Sequence, residues 1–246
     1  VPGTAILKAM VAVPAPTQPI TRKESTEVVT GPPSGAKYAA EAIGTFFLVF
    51  TVGAAVGAGS VFAPLAIGGV LMVMVYAGGH ISGGHYNPAV TLSVLVRGRI
   101  AVRDAIMYWI VQFGAGLLAA AMVRWIVDPA RAGTTVTITL AGHALLAAFV
   151  VELLFTFALC HVVLNVATSK SHRDNSYFGL AIGFSVLAGD FAVGEISGGA
   201  FNPSVTVGAA LMGMFAWPTL WVYLVAQVIG GAAAGVTFLA LNPDEK

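Results

Sequence analysis

Few side chains here are equipped for chemistry, and most of them come in pairs. Asn87 and Asn202 stand in two closely similar runs, GHISGGHYNPAVT at residues 79–91 and GEISGGAFNPSVT at residues 194–206, the second displaced by 115 positions (202 against 87). Each amide can donate and accept hydrogen bonds while carrying no charge. Each is followed by proline, and Asn-Pro has the chemistry of a helix start. Asparagine is a favoured N-cap, and proline suits the first helical position because its missing N–H would be unpaired there anyway. Two carboxylates, Glu41 and Glu152, lie inside apolar stretches. A carboxylate in such a place is either a proton relay or an acceptor for backbone N–H groups that would otherwise be buried unpaired. Their matched placement favours the second role, as loop anchors, and Gln112 and Gln227 read similarly. His85 precedes Asn87 by two positions, and Asp190 is one more acidic group in an apolar segment.

Other chemistries find no support. There is no glycine-rich phosphate loop and no His-Glu metal motif, so no cofactor or metal is expected. The single cysteine, Cys160, excludes an intrachain disulfide and a cysteine metal site and reads as packing. A net charge of +1 without a basic run gives nucleic acid nothing to bind.

The elements that must hold these groups follow from composition. The chain is 57% hydrophobic and only 9% charged, against roughly 25% charged in a soluble domain, so it cannot clothe itself in polar groups in water. Six apolar segments reach the ~20 residues needed to cross ~30 Å of hydrocarbon: 38–56, 62–79, 102–127, 141–167, 177–194 and 216–240. The stretches after the two Asn-Pro pairs, 87–96 and 202–212, are apolar but only half as long. A half-span with open loop backbone is tolerated only where protein surrounds it or where it lines a water-filled cavity. The expected fold is therefore an all-α membrane protein of six transmembrane helices plus two re-entrant half-helices. Residues 1–36, rich in proline, threonine and serine, lack a secretory-signal layout and are expected to be a flexible tail. Residues 37–241 form the membrane unit, with repeats at about 37–127 and 141–241, and residues 242–246 a short C-terminal tail.

Sidedness comes from the cations. With the N-terminal tail inside, ten lysines and arginines face inward, and only Arg124 and Arg131 face outward. That positive-inside bias makes both termini cytoplasmic. The duplication extends into the third and sixth segments, where Tyr108 and Gln112 correspond to Tyr223 and Gln227 at the same displacement. Three spans per repeat is an odd number, so the copies are inverted with respect to each other. The half-helices then meet at the midplane with Asn87 and Asn202 together. Gly114, Ala115, Gly116, Gly230, Gly231 and Gly235 read as close helix–helix contacts, and Trp109, Trp125, Trp217 and Trp221 as interfacial anchors among membrane lipids.

Beyond residue 37 the chain resembles the aquaporin and glycerol-facilitator family. The likeness rests on Asn87-Pro88-Ala89, Asn202-Pro203-Ser204, the two Ile-Ser-Gly-Gly approaches and the glutamates of the first and fourth spans. The resemblance implies a passive channel for water and small neutral solutes. The two asparagines would donate to solute, and carbonyls of Gly83, Gly84, His85, Gly198, Gly199 and Ala200 would accept from it. It also implies a homotetramer, with one conduit per subunit, in the plasma or bacterial inner membrane. Half-helix N-termini carry positive dipole ends and oppose cations at the junction.

The resemblance also places an outer filter, and here the chain departs from the water-selective pattern. Ile67 stands at the aromatic position, Asp190 at the histidine, Gly199 at the small residue and Val205 at the arginine. A wider, more apolar constriction is expected, open to glycerol, urea, ammonia or neutral metalloid acids as well as water. Ser204 in place of alanine is expected to widen or polarise the junction. Asp190 could attract cations, be neutralised by desolvation, or turn away toward Arg131 or loop N–H groups, the last being the expected outcome. An ion- or proton-conducting pore using Asp190, and a structural membrane protein with a poor pore, are the alternatives.

Overall fold

The computed structural model describes residues 31–126 and 137–245. The expectations for the proline-rich N-terminal stretch and for Arg131 lie outside them. Eight α-helices follow in order: α1 Ser34–Gly57, α2 Ala63–Ser82, α3 Pro88–Val96, α4 Val102–Ile126, α5 His143–Val163, α6 Phe178–Ser197, α7 Pro203–Leu211 and α8 Leu220–Leu241. Six are long and apolar enough to span a membrane. α3 and α7 have nine residues each, which at 1.5 Å per residue reach ~14 Å, half a bilayer. The long helices are apolar nearly all round, as spans are: Ile110, Leu118, Leu154, Phe184 and Val236 are all exposed. The protein is an integral membrane protein with two inverted repeats, α1–α4 and α5–α8.

Each half-helix is held by the third span of the other repeat. α3 packs on α8, and α7 packs on α4. Small residues permit the approach. A Cβ at Gly231 would lie 2.6 Å from the Ala89 carbonyl oxygen, and one at Gly116 3.2 Å from that of Ser204. A Cβ at Gly230 would lie 2.6 Å from the Leu153 carbonyl oxygen, and one at Gly235 2.7 Å from the Val96 side chain. Gly114 is not part of this, because nothing lies within 4 Å of the position its Cβ would take. Trp109 has a partner inside the protein. Its indole Nε1 donates to the Pro88 carbonyl (3.1 Å) and braces the start of α3.

The ends differ from the sequence-based limits for physical reasons. α1 begins at Ser34, so residues 34–36 are its first turn and not tail. The last residues are not a free tail either. After α8, residues Pro243–Glu245 form a 3-10 turn that buries Glu245. Arg97, at the C-terminus of α3, donates from Nη1 to the Glu245 carbonyl (2.6 Å) and from Nη2 to its carboxylate (2.5 Å). The other carboxylate oxygen accepts from Ser169 Oγ (2.8 Å) and Lys170 N (2.7 Å). The Arg97 guanidinium also lies 4.5 Å above the Phe238 ring. Burial alone would raise the Glu245 pKa. The Ser169 and Lys170 hydrogen bonds and the charges of Arg97 and Lys170 outweigh it and hold the group below the usual glutamate range.

A depressed carboxylate pKa contributes stability that is present above the unfolded-state value and is lost as pH falls through the folded one. Glu245→Gln is therefore expected to melt below the parent in detergent at pH 7, with the gap closing in acid, below about pH 4. Equal melting temperatures at neutral pH would contradict this account.

Candidate functional site

The site is built on two buried carboxylates. Glu41, on α1, is fully buried and accepts four hydrogen bonds, from Ser82 Oγ (2.7 Å), His85 N (2.9 Å), Tyr86 N (2.7 Å) and Gln112 Nε2 (2.9 Å). Glu152, on α5, repeats the pattern with Ser197 Oγ (2.7 Å), Ala200 N (3.0 Å), Phe201 N (2.8 Å) and Gln227 Nε2 (2.9 Å). Tyr108 and Tyr223 each donate to the carbonyl that ends the preceding long helix, Ser82 and Ser197, both at 2.6 Å. The loop backbone at membrane depth is thus paired inside the protein, as a low-dielectric interior demands.

Both loops take the same unusual backbone path. Tyr86 and Phe201 have φ of 48° and 46°, a conformation costing a non-glycine residue roughly 1–2 kcal/mol. Each is held at both ends. Its N–H donates to the glutamate, and its carbonyl accepts from the asparagine of the other repeat: Asn202 Nδ2 to Tyr86 (2.9 Å) and Asn87 Nδ2 to Phe201 (2.9 Å). The rings fill space that glycines leave open, Tyr86 against Gly44 and Gly78, Phe201 against Gly189.

Each asparagine also caps its own half-helix. Asn87 Oδ1 accepts from Ala89 N (2.8 Å) and Asn202 Oδ1 from Ser204 N (2.9 Å), with Pro88 and Pro203 at the first helical positions. Each amide thereby commits one Nδ2 hydrogen and its oxygen, and the second Nδ2 hydrogen on each remains for a solute.

A narrow cavity of about 110 Å³ runs past this junction. Both asparagines line it, as do Ile67, Asp190, Gly198, Gly199, Ala200 and Val205, with an apolar wall that includes Leu48, Val52, Leu71, Val90 and Val186. His85 lines it and also a second, wider vestibule beside Gly83, Arg99, Asp104 and Tyr108. The His85 ring Nδ1 pairs with Thr91 Oγ1 (3.0 Å). Gly84 lines neither space. It is buried, and a Cβ there would lie 3.3 Å from Gly79 Cα and 3.5 Å from Val75 Cα. It is the one residue of the expected carbonyl set that the two cavities leave out.

Two expectations need correction. Ser204 is absent from the cavity wall and does not widen or polarise it. Its Cβ lies 3.5 Å from where a Cβ on Gly116 would sit, and its buried hydroxyl has no hydrogen-bond partner among the described residues. Ser204→Ala is therefore expected to leave water flux unchanged and to raise thermal stability, since an unpaired buried hydroxyl costs about 1–3 kcal/mol. A fall in flux per folded protein would return Ser204 to the conduit. Asp190, for its part, does not turn to loop N–H groups. Among the described residues none donates to it, and its Oδ1 nestles where a Cβ on Gly199 or Gly194 would sit, at 2.5 and 2.6 Å. The carboxylate lines the conduit.

Outside the spans, the half-helices and the re-entrant loops, the wall takes in three residues that were not anticipated: Ile138, Met214 and Phe215. The segments that carry them pair through Ile138 N to Met214 O (2.8 Å) and Ala216 N to Ile138 O (3.3 Å). The repeat displacement held a signal for two of them. It carries Arg99 and Ile100, which line the wide vestibule, onto Met214 and Phe215. Ile138 lies in the connection between repeats and had no such counterpart.

Six spans, two half-helices joined tip to tip and a conduit through their junction define a membrane channel. The chain belongs to the major intrinsic protein family, whose family model matches residues 29–238. It is thus a channel for water and small solutes rather than an enzyme. It is 38% identical over 217 residues to glycerol uptake facilitator protein-like 6 of Lactiplantibacillus plantarum, covering 85% of this chain and 99% of that one. It is 33% identical over 226 residues to putative aquaporin NIP4-1 of Arabidopsis thaliana, covering 85% of this chain and 76% of the other. The structure of the aquaglyceroporin from Plasmodium falciparum superimposes with a TM-score of 0.70 over 84% of this chain and 96% of that one, at 20% identity.

Proposed function

We propose that the channel passes small uncharged solutes up to the size of glycerol, and water with them. Urea, ammonia and neutral metalloid acids such as arsenous or boric acid belong to the same size and charge class. One observation carries the reading: Val205 lines the conduit at the position where water-selective relatives have arginine. Ile67, Asp190, Gly199 and Val205 act as the filter, Asn87 and Asn202 as donors at the junction, and Gly83, His85, Gly198, Gly199 and Ala200 as backbone acceptors. Glu41 and Glu152 anchor the loops. The likeness to a glycerol uptake facilitator-like protein supports this solute class. The chain works as a homotetramer with its arginine-rich face and both termini in the cytoplasm.

Neutral selectivity has a physical source. The N-termini of α3 and α7 converge on the junction, each bringing a partial positive charge of roughly half a unit that opposes cations. Solutes exchange water partners for protein partners a few at a time, and the apolar wall offers nothing to hold them.

Stopped-flow light scattering on proteoliposomes with water, glycerol, urea, ammonia and arsenous acid tests the reading. Flux of water and glycerol well above empty liposomes is expected; water flux with no glycerol flux overturns it. Asp190 on the conduit wall favours one rival, an ion- or proton-conducting pore. Planar bilayers under a pH gradient separate the two, the neutral-solute channel remaining silent.

A further inference from the structure

The four filter positions do not close the conduit at the end opposite Arg97 and Glu245. Past them the wall continues onto two segments outside the re-entrant loop and the long spans, residues 137–140 and the stretch that follows α7. These segments are joined by backbone hydrogen bonds, Ile138 N to Met214 O (2.8 Å) and Ala216 N to Ile138 O (3.3 Å), and by Thr137 Oγ1 donating to Gly213 O (2.7 Å). The pairing brings the side chains of Ile138 and Phe215 to one spot on the wall. A Cβ added to Gly198 would lie 2.5 Å from the Phe215 ring and 3.0 Å from Ile138 Cδ1, so both side chains occupy the space that this glycine leaves open.

Phe215 is fixed there. It is 5% exposed, and its ring stacks on Tyr223 with centroids 4.6 Å apart and an interplanar angle of 17°. Tyr223 in turn donates to the Ser197 carbonyl (2.6 Å) at the start of the same loop. The repeat symmetry supplies a second, independent observation. Gly98 and Gly213 break the chain in the same way after the two half-helices, with φ of 76° and 81°. The residues two positions on, Ile100 and Phe215, line the two opposite openings. The turn after each half-helix thus delivers a wall residue to its own mouth.

We infer that Ile138 and Phe215 form a second size-selecting element at this mouth, in series with Val205 and Asp190, and set the upper limit on the solute that passes. The inference rests on the proposed solute class. Flux of water, glycerol and the longer polyols erythritol and xylitol through proteoliposomes gives the test. Ile138→Ala and Phe215→Leu are expected to raise erythritol flux relative to water about threefold or more, roughly 0.7 kcal/mol or more on the barrier.

A thiol probe separates a wall residue from a merely structural one. Cys160, the only cysteine, is fully buried, so Ile138→Cys introduces one accessible thiol. The backbone pairing uses main-chain atoms alone, so it survives the change. Complete labelling with a bulky charged methanethiosulfonate, verified by intact mass, should abolish most of the glycerol flux. Full labelling with flux unchanged, or polyol ratios unmoved in both variants of normal melting temperature, overturns the inference. If the parent protein passes no glycerol, it is the proposed function that fails. Glycerol flux in the parent with unmoved variants refutes the second element alone.

Discussion

Replacing Glu152 by alanine is expected to leave almost no folded channel. The substitution strands four donors that the carboxylate now satisfies, Ser197 Oγ, Ala200 N, Phe201 N and Gln227 Nε2. An unpaired buried donor costs about 1–3 kcal/mol, and four of them approach the entire ~5–15 kcal/mol that holds a typical protein together. The change also frees Phe201 to leave its positive φ, and with it the carbonyl that positions Asn87. Glu152→Gln is a partial remedy only. It keeps one acceptor oxygen but turns an NH2 group toward two of the donors. Size-exclusion yield and melting in detergent should fall in the order parent, Gln, Ala, and the Glu41 variants should follow the same order by symmetry. A Glu152→Gln protein of parental stability whose flux alone had changed would instead mark the carboxylate as a proton relay.

The second large effect is in selectivity. Val205→Arg is expected to cut glycerol flux more than tenfold, at least about 1.4 kcal/mol on the barrier, while water flux falls only a few-fold. Val205 is 5% exposed and lines the conduit, so a guanidinium there must lie in the lumen, where Asp190 on the same wall offers it a carboxylate. That pair offsets the cost of a cation near the N-terminus of α7. It narrows the path and adds five donors that a water can satisfy singly and a three-carbon solute cannot pass without displacing. Stopped-flow traces for the two proteins at matched protein density provide the comparison. Glycerol rates that stay equal in a folded variant would remove Val205 from the filter.

Much of this was legible in the amino-acid order because membrane physics leaves few choices. Apolar runs of span length, two runs of half that length, and Asn-Pro at the head of each short run already implied re-entrant helices, since unpaired backbone cannot face lipid. The duplicated runs and the odd number of spans implied inversion and so placed Asn87 near Asn202. The paired glutamates could be read as loop anchors because something buried had to accept the loop N–H groups. These features are properties of chain length, hydropathy and local capping, all of which act within a few residues.

What stayed hidden depends on which side of a residue faces which neighbour. Ser204 packs beside Gly116 and stays off the conduit wall, a matter of α7's rotation against α4 that no spacing in the chain specifies. Asp190 lies against Gly194 and Gly199 on the conduit wall, a position settled by the room two glycines leave. Ile138 reaches the mouth through backbone hydrogen bonds to a segment some 75 residues away, and Glu245 leaves its tail because a buried Arg97 draws it in. Local rules could specify the elements and their ends. The pore wall, by contrast, is made where distant elements touch, and only packing in three dimensions decides which side chains those are.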